Sequence, residues 1–162
     1  MSDVQFRVGD SMFLLRVAAL ARSEGRILLH RVLSDAFWSL PGGRVSIGED
    51  LKAAIEREIF EESGFTVKAH RLAWVIENFW TGPKWPNPEP VDCHEIGFYF
   101  NVEPPEDMCR LSTFDGAEGG HPLEFRWFDV SEVRSLDLRP AILHDLLEEP
   151  DGPVLYLVSR DR

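Results

Sequence analysis

Four glutamates, Glu56, Glu58, Glu61 and Glu62, crowd the end of one amphipathic segment that closes on Gly64. A helix C-terminus carries partial negative charge and prefers Lys or Arg, so carboxylates there oppose the backbone dipole. Glu58 with Glu61 and Glu62, three and four residues on, also sets like charges on one helix face, at about 0.2–0.5 kcal/mol per pair. Conflicts of this kind collect where function requires them, and a cation is what relieves this one. At about 100° per residue, Glu58, Glu61 and Glu62 span roughly a third of the helix circumference. Oxygen-only ligands of this sort suit Mg²⁺ or Mn²⁺, which keep several waters and bind substrate phosphates. Arg57, one turn before Glu61, is placed to orient that carboxylate. An acidic run standing alone has a plainer reading, a solvated helix face.

The residues before the run decide between the two. Pro41-Gly42-Gly43 is a turn in which glycine lets the backbone approach a ligand closely. From Gly43, five residues lead to Glu49 and seven more to Arg57-Glu58-Ile59-Phe60-Glu61-Glu62-Ser63-Gly64-Phe65. The stretch Gly43 to Phe65 resembles the Nudix box, the signature of the Nudix hydrolase family, with every fixed position filled and Ile59 and Phe65 in the apolar slots.

The resemblance implies hydrolysis of a diphosphate linked to another moiety, usually in a nucleotide. It implies Glu58, Glu61 and Glu62 as metal ligands, with Gly43 approaching substrate or giving a carbonyl to the metal, and Arg57 in the catalytic group. It leaves the general base open between a box glutamate and a carboxylate outside the box. Among the latter Glu95 ranks first, beside a strand expected to run near the site, followed by Glu118 and Glu124. Arg44, directly after the glycine pair, is a candidate phosphate contact. Trp80 and Trp85 are candidates for stacking a base, since an aromatic face accepts any nucleobase. The expected partner is a small nucleoside diphosphate derivative, with nucleotide sugars, ADP-ribose, dinucleoside polyphosphates and nucleoside triphosphates all open. Family habit adds a homodimer. A non-catalytic nucleotide-binding Nudix domain is the alternative, and isomerase chemistry on an isoprenoid diphosphate stands behind it.

These residues need a frame. At 162 residues the chain fits one domain spanning 1–162 with a substantial core. A net charge of −11 argues against an electrostatic grip on nucleic-acid polymers, while bound metal reverses the sign locally for small phosphorylated substrates. Cys93 and Cys109 match no metal pattern and suggest no disulfide scaffold. No basic-plus-apolar leader precedes Phe6, and no apolar run approaches about 18 residues. The expectation is therefore a cytoplasmic protein with no membrane association.

Along the chain, residues 1–10 read as a polar lead-in, followed by strands over 11–21 and 26–33 joined by a turn at Ser23-Glu24-Gly25. A helix runs from about Asp50 to Ser63, although Ser46-x-x-Glu49 offers a second capping box. Gly64 fits its left-handed stop. Residues 66–80 carry one or two strands. The four prolines of 81–91 predict an irregular loop of the lid or binding kind. A strand over 94–102, a polar Gly-rich loop over 112–122, a short strand over 124–130, a helix over 138–149 and a strand over 154–159 complete the reading. The pattern is mixed α and β. The resemblance sharpens it to an α+β Nudix fold, a mixed sheet sandwiched between helices with the box forming a loop–helix–loop.

Overall fold

Stretches rich in β-branched and aromatic residues, cut by Gly-containing turns, make strands the dominant element. The computed structural model describes residues 2–84, 87–149 and 151–161. In chain order the elements are β1 (Gln5–Val8), β2 (Ser11–Ser23), β3 (Arg26–Val32), β4 (Gly42–Arg44), α1 (Leu51–Ser63), β5 (Lys68–Lys84) and β6 (Asn87–Glu103). After these come α2 (Glu106–Cys109), β7 (Thr113–Glu118), β8 (His121–Asp129), a 3₁₀ turn (Val130–Ser135), α3 (Leu143–Leu146) and β9 (Leu155–Asp161). The sheet runs β7-β8-β3-β2-β6-β5-β9, with β1 and β4 also pairing β2. Pairs β2–β6 and β5–β9 are parallel and the others antiparallel, so the sheet is mixed.

Strand β2 sits inside this sheet, and its alternation divides the core. Val17, Ala19 and Ala21 face one side, while Ala18 and Leu20 face the other, because successive side chains of a strand point to opposite faces. The first face packs against α1 through Ile55 and Ile59, with Phe100, Phe125 and Met108 around them. Burial of each isoleucine contributes about 1.5–3 kcal/mol. The second face gathers Leu29, Trp38, Ile76, Tyr99, Leu138 and Leu143. The sheet therefore lies between α1 and the segment carrying the 3₁₀ turn and α3, as the α+β reading expects. No helix among the described residues is long and apolar enough to cross a membrane.

Several sequence expectations give way. The lead-in contains β1, whose Val8 pairs Ser11 across a turn at Gly9 (φ 58°). The Pro-rich stretch is no loop on either described side: Thr81 pairs Asp92, Gly82 pairs Val91 and Pro83 pairs Pro90 within a long β5–β6 hairpin. Two prolines opposite each other put both missing N–H groups on one rung, which limits the damage to the ladder. The Gly-rich 112–122 stretch forms β7 and turns into β8 through Gly119 and Gly120, both at positive φ. The helix expected over 138–149 shrinks to α3. Its start is diverted because the Trp38 N–H donates to the Asp137 carbonyl and the Arg139 N–H to the Trp38 carbonyl.

Candidate active site

Helix α1 is set by its ends. The Asp50 side chain caps the N-terminus by accepting the Ala53 N–H at 2.9 Å, rather than Ser46. Gly64, at φ 79°, closes the C-terminus with its N–H on the Phe60 carbonyl. Between them the four glutamates part company. Glu56 lies off the cluster and accepts the Ala69 N–H at 2.9 Å, tying α1 to the start of β5. Glu58 and Glu62 are buried, whereas Glu61 is exposed.

Arg57 is the hub of this surface. Its Nε donates to Glu49 at 2.9 and 3.1 Å, its Nη1 to Glu58 at 3.0 Å and Glu61 at 3.1 Å, and its Nη2 to the Arg44 carbonyl at 3.0 Å. These contacts, the Glu49 hydrogen bond foremost, hold its guanidinium firmly protonated. Arg57 thus positions carboxylates and the β4 backbone together. Gly43 shows why glycine is needed there: a Cβ would lie 2.2 Å from Glu58 Oε2. The Glu58 carboxylate occupies the space a side chain would take.

The buried pair is electrostatically uncomfortable. Burial, then Glu62, push the Glu58 acid up to about 7 against the opposing pull of Arg57. Burial, then Glu118, push Glu62 well above the usual carboxylate range. Both Glu62 oxygens are buried without a hydrogen-bond partner. His30 Nδ1 lies 3.5 Å from Glu62 but is itself unpartnered. Burial, then Arg16, hold this imidazole neutral with its acid down to about 3, so the contact is no ion pair. Orphaned carboxylate oxygens next to a second buried carboxylate are the donor set a hard divalent cation satisfies. Among the described residues no three acidic, His or Cys side chains already converge into a closed cage. Arg57 Nη1 sits against both Glu58 and Glu61 instead.

A cavity of about 600 Å³ is lined among others by Arg16, Phe37, Asn78, Trp80, Glu95 and Arg139. Its wall includes Leu40, Tyr99 and Leu138 of the second core. Arg16 joins the two regions. Its Nη2 donates to the Leu40 carbonyl at 2.9 Å, and its charge acts on both Glu62 and Glu95. Arg44 pairs Arg16 across β4–β2 and also acts on Glu95.

The sequence-selected residues therefore divide. Gly43, Arg57, Glu58, Glu61 and Glu62 come together at α1 and β4, with Arg44 adjoining. Trp80 and Glu95 stand on the cavity wall, while Trp85 lies outside the described residues. Glu95, first choice for an outside base, acts on none of the α1 carboxylates, whereas Glu118 acts on Glu62. Glu124 is occupied by Arg31 and Arg126. His30, Arg16 and Asn78 escaped the sequence reading because lone polar residues within apolar strands carry no motif. The Gly119-Gly120 pair, a hairpin signal, was the available clue that Glu118 ends a strand beside the site.

Comparison with known proteins bears on this arrangement. Residues 12–148 match the family model for the NUDIX domain. YjhB of Bacillus subtilis is 30% identical over 136 residues, covering 82% of this chain and 61% of that protein. An RNA pyrophosphohydrolase of Haemophilus ducreyi is 36% identical over 122 residues, covering 68% and 61%. The chain thus spans about 61% of the length of these relatives. Among solved structures, a NUDIX hydrolase from Nitrosomonas europaea superposes with a TM-score of 0.62 at 20% identity, covering 90% of this chain and 79% of that one. An ADP-ribose pyrophosphatase from Streptococcus suis gives 0.57 at 18%, covering 88% and 98%. At these identities the structures speak for the fold alone.

Proposed function

The chain belongs to the Nudix family, and from that premise we propose that it is a divalent-metal-dependent pyrophosphohydrolase cleaving a nucleoside diphosphate linked to another moiety. The observation that carries this reading is the buried Glu58–Glu62 pair with its orphaned oxygens. Glu58, Glu61 and Glu62 hold Mg²⁺ or Mn²⁺, with Gly43 letting the Glu58 carboxylate lie against the β4 backbone. When bound, the ion neutralises phosphate oxygens and lowers the pKa of a water.

The rest is work for the chain's own groups. Arg57 fixes Glu58 and Glu61 in place and ties them to β4 through the Arg44 carbonyl. Arg16 on the cavity wall and Arg44, paired with it across β4–β2, attract the diphosphate. Glu118, the carboxylate outside α1 that acts on Glu62, takes the proton from the attacking water. The cavity receives the nucleoside or its attached group, and Trp80 supplies an aromatic wall.

Purified protein with Mg²⁺ or Mn²⁺ is assayed against ADP-ribose, UDP-glucose, diadenosine polyphosphates, nucleoside triphosphates and a 5′-triphosphorylated RNA. Phosphorus NMR identifies the products. Release of a nucleoside monophosphate from at least one small substrate is expected, falling at least about 100-fold in Glu62→Gln. Binding of these compounds without turnover under both metals would instead favour a non-catalytic nucleotide-binding domain. Activity confined to the RNA would contradict the small-molecule reading, which the net charge of −11 favours.

A further inference from the structure

One rung of the sheet breaks the apolar character of the second face. Asn78 on β5 pairs with Glu95 on β6 and with Ser159 on β9. The three residues are 8%, 9% and 5% exposed. Their surroundings include Trp74, Ile76 and Tyr99, all core side chains. Buried polar groups are normally hydrogen-bonded, and an exception asks for an explanation. Ser159 has its partner, its Oγ donating to Asp161 Oδ1 at 3.3 Å. Asn78 does not: its Oδ1 is unpartnered. Beside it, Glu95 feels the charges of Arg16 and Arg44. Both line the cavity of about 600 Å³, a size usual for a small-molecule site.

We propose that Asn78 and Glu95 read the nucleobase of the substrate, selecting a purine whose edge presents adjacent N–H donors, as guanine does. The proposal rests on the nucleotide-hydrolase reading of the site. Neighbouring strands lie about 4.8 Å apart, so the two acceptors stand side by side. A carboxylate takes two donors in a row, and the free Oδ1 of Asn78 takes another. Guanine offers its ring N–H beside its 2-amino group. Adenine sets a ring acceptor next to its amino group and brings lone pairs against the carboxylate. Burial, the larger influence, raises the Glu95 acid, and the charges of Arg16 and Arg44 oppose it. Phe37 and Trp80 add aromatic surface to the same cavity. This assignment moves Glu95 from proton transfer to recognition.

The test uses nucleoside monophosphates, which hold no diphosphate to cleave, so recognition is measured apart from turnover. Calorimetry with GMP, IMP, AMP and UMP in Mg²⁺ is expected to show GMP at least about 10-fold tighter than IMP, which lacks only the 2-amino group. Glu95→Gln and Asn78→Leu are each expected to shrink that gap below about 3-fold, and Glu95→Gln to tighten AMP by relieving the carboxylate's repulsion of the adenine lone pairs. Equal binding of the four by the native protein overturns the proposal. So does a Glu95→Gln variant that keeps the GMP preference but loses turnover equally on every substrate, the mark of a base. Diphosphate hydrolysis without base preference overturns this proposal and leaves the hydrolase reading standing. Guanine-selective binding without hydrolysis does the reverse, and neither binding nor hydrolysis overturns both.

Discussion

Glu58 illustrates how burial changes the acidity of a helix-end carboxylate. Its acid rises from an ordinary 4.5 to about 7, by burial and then by Glu62. The folded chain therefore holds this proton more tightly than the unfolded one. The stabilising contribution is complete below about pH 4.5 and is lost as pH rises through about 7. In EDTA, the Tm of the native protein relative to Glu58→Gln is expected to fall across that window. His30 works in the opposite sense. Its lowered acid withdraws stability as pH falls from 6.5 toward about 3, which is why the comparison is made between two proteins sharing that histidine. A difference that stays flat from pH 4.5 to 7 would show that Glu58 ionises as freely as in water.

Among the elements, the contact between α1 and β7 places Glu118 beside Glu62. It depends on Gly116, where a Cβ would lie 2.3 Å from the Glu62 carbonyl oxygen and 2.6 Å from the Phe125 ring. Neither neighbour is the loose end of a flexible side chain. Gly116→Ala is expected to lower unfolding free energy by about 1–3 kcal/mol, as overpacking does, and to reduce turnover by shifting the last turn of α1. Urea denaturation and initial rates on one substrate check both effects. A fully stable variant with full activity would mean that β7 gives way without disturbing the helix.

At the scale of the molecule, the two cores serve different ends. The α1 side presents carboxylates, the opposite side encloses the cavity, and Arg16 on β2 acts on both. With a net charge of −11 and a cluster of acids at one site, a cation held there would stabilise the folded state over an unfolded chain that cannot gather those carboxylates. At 100 times its dissociation constant, Mg²⁺ or Mn²⁺ is expected to stabilise by about 2.7 kcal/mol. The corresponding rise in Tm should reverse with EDTA and vanish in Glu62→Gln. An equal rise in that variant would place the ion elsewhere.

Helix α1, its cap region and stop, and the register of Arg57, Glu58, Glu61 and Glu62 are legible in the sequence alone. All of these follow from contacts between residues a few positions apart, which period and end signals encode directly. Helical periodicity also sets Glu56 apart from the other three glutamates, as its bond to the Ala69 N–H bears out. The Pro-rich hairpin and β7 were misread because strand pairing is non-local: Pro83 is tolerated through its partner Pro90, and Gly116 through the helix it meets. The cavity was invisible for the same reason. Arg16, Asn78, Glu95 and Arg139 come from four separate parts of the chain. That Glu95 stands beside Asn78 follows from sheet order and strand register, which set which side chains meet and which no local pattern encodes.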